Sequence, residues 1–197
     1  MSKLASNRLK LTIFTTFIFL VTFIFLLNFS SFNSVTFGYQ EYVFVQNWAR
    51  NNDTHKISEI HDVLATKDFV FVPDYENHNI KKFTKNGTFV LEWGKEGTDP
   101  GQFDTPHSMD VDSKGYVYVS DMNNKRIQKF DSNGSFIVEW GIAGEGAGEF
   151  LHPHGIAIDS NDDVYVADTE ITDIQKFTKD GQFIRKGGSE GSGQGQF

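Results

Sequence analysis

The sequence predicts an all-β propeller preceded by one transmembrane helix, and three observations support this prediction. The first is an internal repeat whose motifs recur every 47 residues. The second is an Asn-Gly or Asp-Gly pair at the same position of each copy. The third is an apolar run near the N-terminus that contains no charged residue.

The repeat keeps one spacing through three copies. The motifs VFVPD, VYVSD and VYVAD end at Asp74, Asp121 and Asp168. A second motif, GQF or GEF, ends at Phe103, Phe150 and Phe197. A period of this length indicates stacked supersecondary units, so we predict three blades. Their predicted bounds are residues 58–103, 104–150 and 151–197.

Each copy predicts four short antiparallel strands. In the third copy, these strands cover residues 155–159, 164–167, 173–178 and 182–186. The Asn-Gly or Asp-Gly pair lies between the last two, and it predicts a tight hairpin with positive φ at both central residues. Four strands at this period are typical of a propeller blade.

Other recurring residues have structural interpretations. An aspartate that ends the second strand in every blade is expected to accept backbone N–H bonds at a turn, because a catalytic acid has no use in three blades at once. The glycine runs at 141–148 and 187–195 precede strands rather than helices, so they predict connectors between blades and not phosphate loops. Trp93 and Trp140 are expected to pack between blades.

The N-terminal segment predicts a membrane anchor. Residues 11–32 read LTIFTTFIFLVTFIFLLNFSSF, and a bilayer core needs about 20 apolar residues. Lys3, Arg8 and Lys10 precede the run, which keeps residues 1–10 in the cytoplasm and directs the remainder outward. A cleaved signal peptide is the alternative. We therefore expect a single-pass protein of the cell membrane with an extracytoplasmic propeller.

Residues 33–57 form the predicted juxtamembrane segment. Within it, YVFVQNW at 42–48 resembles a lone outer strand, with Trp48 in the place of Trp93. Three blades do not close a ring, because propellers have 4–8 blades. The chain is therefore expected to be part of a longer propeller, with a ring made of two half-rings as the alternative.

The strand motifs identify a resemblance. VYVSDMNNKRIQKFDSNGSFIVEWG at 117–141 and VYVADTEITDIQKFTKDGQF at 164–183 resemble NHL repeats. This resemblance implies a propeller, commonly six-bladed, that binds proteins, peptides or RNA. The net charge of −8 disfavours nucleic acid, which requires a basic surface. The expected role is recognition or scaffolding for a protein, peptide or glycan ligand, without a cofactor.

A rival hypothesis, that the protein is a zinc enzyme, comes from two Pro-His motifs. Pro106-His107-Ser108 and Pro153-His154-Gly155 occupy equivalent positions at the start of the innermost strand, near the predicted axis. They resemble the phrases that hold zinc in the propellers of peptidyl-hydroxyglycine alpha-amidating lyases. That resemblance implies zinc and a lyase or hydrolase activity, and it leaves open whether the protein is an enzyme.

Two further residues complete this rival site. His61 is the third candidate zinc ligand, but it precedes Val70 by nine residues, whereas His107 precedes Val117 by ten. Counted in this way, His61 aligns with Ser108 and not with His107. Tyr75 follows the second strand of the first copy, where the resemblance implies a catalytic tyrosine.

Overall fold

The computed structural model describes residues 56–197. Within these residues, no helix is both long enough and apolar enough to cross a membrane. The anchor predicted at 11–32 and the lone strand predicted near 42–48 lie outside the described residues.

Residues 56–197 contain three four-stranded antiparallel sheets, as the repeat predicts. Blade A consists of β1 (Leu64–Ala65), β2 (Phe69–Asp74), β3 (Asn79–Thr84) and β4 (Phe89–Trp93). Blade B consists of β5 (Pro106–Val111), β6 (Val117–Asp121), β7 (Arg126–Phe130) and β8 (Phe136–Trp140). After β9 (Ile142–Ala143) and β10 (Glu149–Phe150), blade C consists of β11 (Pro153–Ile158), β12 (Val164–Asp168), β13 (Asp173–Phe177) and β14 (Phe183–Gly187). The predicted strands of the third copy differ from these only at their ends.

Burial falls from the middle of each blade to its outer edge. All five residues of β6 and all five of β7 are buried, although β7 reads RIQKF. Both faces of these strands are covered by neighbouring blades, so side chains of both alternations are buried. The outermost strand β8 begins with two exposed residues, because no element within residues 56–197 covers that edge.

The two blade interfaces use the same apolar positions. Between blades A and B the buried core consists of Phe71, Ile80, Phe103, Met109, Val117, Val119 and Phe130. Between blades B and C it consists of Tyr118, Ile127, Phe150, Val164, Val166 and Phe177. Trp93 and Trp140 pack against these cores, which confirms their predicted place between blades.

The glycine run at 141–148 connects blade B to blade C, as predicted, and the run at 187–195 begins at the end of the last strand of blade C. The connector from blade B to blade C contains β9 and β10, which pair in parallel. Phe150 at its end is fully buried against Gly141, whose φ is 107°. A Cβ at Gly141 would lie 2.7 Å from the Phe150 ring, so both the backbone conformation and the close approach require glycine.

The Asn-Gly turns differ from the prediction. Positive φ occurs at Gly87, Gly134 and Gly181 but not at the residue that precedes each of them. The register shifts by one residue beside each turn, for example between Lys82 and Phe83. A turn followed by a left-handed glycine and a bulge satisfies the strand twist with a single positive φ.

The repeated aspartates are structural, as predicted. Asp121 is fully buried and accepts hydrogen bonds from the backbone N of Asp104 (2.8 Å), from Nε of Arg126 (2.7 Å) and from Nε2 of Gln128 (2.9 Å). Asp168 likewise accepts the backbone N of Leu151 at 2.8 Å. These carboxylates hold the segment that leads into each innermost strand.

One ion pair reverses its charges between blades. In blade B, Arg126 pairs with Glu139 at 2.9 Å, and its Nη1 donates to the Thr98 carbonyl at 2.7 Å. In blade C, Asp173 and Lys186 occupy the corresponding positions, 3.2 Å apart. The Nζ of Lys186 then donates to the carbonyl of Glu145 at 2.7 Å. The connector carbonyl therefore keeps a cationic donor, although the donor comes from the other strand.

Candidate functional site

Strand pairing places His61 in register with His107, which corrects the residue count made from the sequence. In blade B, Asp110 lies opposite Tyr118. In blade A, Leu64 lies opposite Phe71, the counterpart of Tyr118. The innermost strand of blade A is therefore offset by one residue relative to the rest of the repeat. His61 corresponds to His107 and Asp62 to Ser108.

Blade A is one residue shorter than blade B in the turn between its first two strands. In blade A this turn closes with a bond from the N of Thr66 to the O of Phe69. In blade B the equivalent bond joins the N of Asp112 to the O of Tyr116 and encloses one residue more. A deletion in a hairpin turn changes the count along the chain but leaves strand pairing intact.

A β-bulge positions the histidine in blades B and C. In β5 the register shifts between Pro106 and Met109, so His107 lies in the bulge. In β11 it shifts between Pro153 and Gly155, at His154. Bulges re-aim a side chain at the edge of a sheet, and both Pro-His phrases produce one.

The three histidines and Tyr75 form a contiguous group, here called the ring cluster (His61, Tyr75, His107 and His154). The ring centroids of His61 and His107 are 4.7 Å apart, and those of His107 and His154 are 3.5 Å apart. Tyr75 lies 4.7 Å from His61 and 6.3 Å from His107. The structure thus brings together every candidate site residue predicted from the sequence. His152 joins the edge of the cluster, 6.0 Å from His154.

Burial favours the neutral form of two imidazoles of the ring cluster, those of His107 and His154. Burial, followed by the neighbouring charges of His154 and His61, lowers the pKa of His107 to about 4. Burial, followed by His152 and His61, also lowers the pKa of His154. Because His107 is only 7% exposed, its charged form would lose most of its hydration. His107 is therefore neutral at pH 7.

The imidazoles of the ring cluster do not converge on one point. Within residues 56–197, no group of three His, Asp or Glu side chains is placed to hold a metal ion. Adjacent imidazoles contact each other through their rings, whereas zinc requires ring nitrogens that converge at about 2.0–2.1 Å. Nδ1 of His107 is nevertheless buried and has no hydrogen-bond partner in the described part of the chain.

Asp62 is a site residue that sequence reasoning missed. Its Oδ2 accepts hydrogen bonds from Oγ of Ser108 at 2.7 Å and from the backbone N of Met109 at 3.0 Å. It therefore ties the innermost strand of blade A to that of blade B beside the ring cluster. Asp62 directly follows His61 in the sequence, and this was the signal that could have identified it. Because the residue count aligned His61 with Ser108, Asp62 was not matched to the Ser108 position.

Comparison with known families decides the assignment. Residues 50–128 and 113–186 match the model of the family described as 6-bladed beta-propeller (DUF5128). The chain belongs to this six-bladed propeller family. No curated protein matches the chain.

Solved structures share the propeller fold. An exported-type protein from Bacteroides fragilis is 17% identical with a TM-score of 0.57, covering 75% of this chain and 44% of its own. A catalytically inactive virginiamycin B lyase from Staphylococcus aureus, crystallised with quinupristin, is 18% identical with a TM-score of 0.54 (66% and 42% covered). A streptogramin B lyase is 18% identical with a TM-score of 0.51 (62% and 38%). The chain therefore spans less than half the length of each of these structures.

Proposed function

We propose that this chain is part of an NHL-type six-bladed propeller that recognises a protein, peptide or glycan ligand. The observation that carries the proposal is the ring cluster. Three successive blades each contribute an imidazole at the start of the innermost strand, and Tyr75 adds a phenol. Such a set presents ring faces and neutral hydrogen-bonding groups at one place, as ligand sites generally do.

The electrostatics of the cluster support an uncharged ligand group at this position. The lowered pKa values of His107 and His154 keep both imidazoles neutral at pH 7. A neutral imidazole donates through one nitrogen and accepts through the other, which suits peptide amides and sugar hydroxyls. Aromatic side chains also supply apolar contact area to such ligands.

Binding to peptide and glycan probes tests this proposal. The full chain is screened against a random heptapeptide library and a glycan array, followed by affinity measurement on any positive probe. His61→Ala and Tyr75→Ala should weaken binding by about tenfold or more, since each removes a ring from the cluster. Ile137→Ala, on the exposed outer strand β8, is the matched control and should leave binding unchanged. Binding that survives both ring substitutions contradicts the proposed site.

A zinc-dependent lyase or hydrolase is the second candidate. Two observations favour it. His61 is in register with His107, and Nδ1 of His107 is buried without a hydrogen-bond partner among residues 56–197. Some structural relatives are lyases, although the likeness to them establishes the fold alone. Elemental analysis of the dialysed full chain separates the candidates. A zinc enzyme retains about one ion per chain and loses it on His107→Ala, whereas a recognition module retains none.

We further propose that residues 11–32 anchor the protein in the cell membrane with the propeller outside. The apolar run and its basic N-terminal flank support this orientation. Protease added to intact cells should degrade the propeller, and membranes washed at high salt should retain the chain. Release of the whole chain by the wash contradicts the anchor.

A further inference from the structure

The turns between the third and fourth strands of blades A and B share a sequence feature that neither the fold nor the ring cluster uses. Asn86-Gly87-Thr88 and Asn133-Gly134-Ser135 each place a hydroxyl residue two positions after an asparagine, with a residue other than proline between them. This pattern is the acceptor motif for N-linked glycosylation, and it functions on surface loops of secreted proteins. Blade C has Asp180-Gly181-Gln182 in the same turn and lacks the motif.

Asn133 is exposed in its turn, and its side chain is not used to build the turn. Its backbone N donates to Oδ1 of Asp131 at 2.8 Å, and the backbone N of Ser135 donates to the same oxygen at 2.9 Å. Within residues 56–197, the side-chain amide of Asn133 makes no hydrogen bond. Attachment of a glycan to this amide therefore breaks no hydrogen bond of the described fold.

The residues on either side of Asn133 are fixed against blade A. The carbonyl of Ser132 accepts a hydrogen bond from Nζ of Lys82 at 2.6 Å. A Cβ at Gly134 would lie 2.6 Å from the Trp93 ring, so the backbone of the turn packs directly on that ring. The turn is thus held by its backbone while Asn133 itself stays exposed. A bulky surface group on Asn133 is compatible with the blade interface.

The turn that contains Asn133 lies at the end of blade B opposite the ring cluster. Asp121 pairs with Pro106 beside the bulge that holds His107, and β7 begins opposite Asp121. The five residues of β7 then lead away from this end and into the turn, over about 17 Å. A glycan on Asn133 would therefore leave the ring cluster accessible to a ligand.

We propose that Asn133 carries an N-linked glycan and that Asn86, which is also exposed, is the equivalent acceptor in blade A. The donor is a lipid-pyrophosphate-linked oligosaccharide. The side-chain amide nitrogen forms a bond to C1 of the first sugar and gives up one proton. The bond between C1 and the pyrophosphate oxygen breaks, and the lipid pyrophosphate leaves with the bonding electrons. This inference rests on the proposed location of the propeller outside the cytoplasm, because the motif is modified in secreted proteins.

Asn161 in blade C is a matched control within the same chain. It is exposed, its backbone N donates to Oδ1 of Asp159 at 2.8 Å, and the backbone N of Asp163 donates to the same oxygen at 3.1 Å. These bonds repeat those around Asn133, but Asp163 occupies the position where Ser135 supplies the hydroxyl. Asn161 should therefore stay unmodified, which separates the effect of the motif from that of exposure in a turn.

Peptide mass spectrometry of the full chain, isolated from its natural source, tests the proposal. Chymotrypsin cleaves after aromatic residues and so places Asn133 and Asn161 on separate peptides. The peptide with Asn133 should carry the mass of a glycan, and the peptide with Asn161 should not. Further acceptor motifs begin at Asn28 and Asn52, so the individual peptides are measured rather than the mass of the chain.

Variants of the full chain, expressed in a eukaryotic host that glycosylates this motif, test the requirement for the hydroxyl. Ser135→Ala should remove the glycan from the Asn133 peptide, although the asparagine is unchanged. Ser135→Thr keeps a hydroxyl and should retain the glycan, and Asn161→Gln should have no effect on it.

The proposal is overturned if the natural chain has no glycan on Asn133, or if Ser135→Ala retains the glycan in the host. Protease treatment of intact cells identifies the reason for a missing glycan. If the protease degrades the propeller, the location is correct and the modification alone is wrong. If the propeller is protected, the proposed location is wrong as well.

Discussion

The interface between blades A and B and the interface between blades B and C share one apolar core but differ at their ends. Phe130 and Phe177 occupy equivalent positions, and both are fully buried. Each also contacts the tryptophan of the preceding blade, with ring centroids 5.9 Å apart in both cases. The apolar cores of the two interfaces are therefore alike.

The two interfaces differ in the polar contacts at their ends. Lys129 has the carboxylate of Asp112, whereas Lys82 has none within ion-pair distance in the described residues. At the opposite end, Asp62 bonds blade A to blade B through Ser108, a link that depends on the one-residue offset of blade A. The comparison shows that the repeated core specifies the fold, while the turns and bulges at its ends are free to become individual sites.

The largest expected effect tests whether the two cores are equivalent. Phe130→Ala and Phe177→Ala should each lower the free energy of unfolding by about 3–5 kcal/mol, because each leaves a large cavity in a close-packed interface. Urea unfolding of the full chain measures both. A cost for Phe177→Ala below half that for Phe130→Ala would show that the interfaces differ in their cores as well.

The next effect concerns pH and the ring cluster. The pKa of His107 is about 4 in the folded chain and about 6.5 when unfolded, so the unfolded chain binds the proton first as pH falls. Stability from this group is therefore complete above about pH 6.5 and is lost towards pH 4, by about 3 kcal/mol in total. His61, His154 and Asp62 are the charged or titratable neighbours.

Urea unfolding at several pH values measures this dependence. His107→Phe should flatten the decline between pH 6.5 and pH 4, because phenylalanine cannot bind a proton. An unchanged decline in this variant would assign the pH dependence to other groups.

A smaller effect on stability is expected from substitutions at two glycines of blade B. Gly134 has φ 84°, and a Cβ there would lie 2.6 Å from the Trp93 ring of blade A. Gly115 has the same φ of 84°, but no atom lies within 4 Å of its Cβ position. Gly115→Ala should cost about 1 kcal/mol from backbone strain alone, and Gly134→Ala should cost about 1 kcal/mol more from the contact with Trp93. Equal costs would mean that this interface tolerates the displacement of Trp93.

The smallest effect should be a gain in stability. Thr66→Asp supplies Lys82 with the carboxylate that blades B and C already have. The aspartate can also accept the backbone N of Phe69, as Thr66 does now at 3.0 Å. We expect the free energy of unfolding to rise by about 1 kcal/mol. A loss of stability would indicate that the turn of blade A cannot place a carboxylate near Lys82.

The sequence was sufficient for the blades because their signals are local and repeated. The strand motifs, the aspartates and the two tryptophans follow from patterns that recur three times, and the structure confirms their places. The register of His61 could not be predicted from the sequence. A residue count along the chain cannot show that blade A is one residue shorter in a hairpin turn. Only the pairing of Leu64 with Phe71 reveals it.

The environment of Lys82 could not be read from the sequence either. IKKF in blade A and IQKF in blade B look equivalent, and the lysine itself is unchanged. Its partner is set by a turn outside the motif and by a carbonyl of the next blade, that of Ser132. Such contacts join residues far apart in the chain, so no local pattern contains them.

The reversed ion pair at positions 126 and 139 has a consequence for how the blades assemble. Copies so alike in sequence could exchange outer strands while the chain folds, with β14 adding to β7 in place of β8. That mistake would set Lys186 beside Arg126, and the opposite exchange would set Glu139 beside Asp173. Two like charges would then lie together at one connector, and we expect their repulsion to favour the pairing of β8 with blade B and of β14 with blade C.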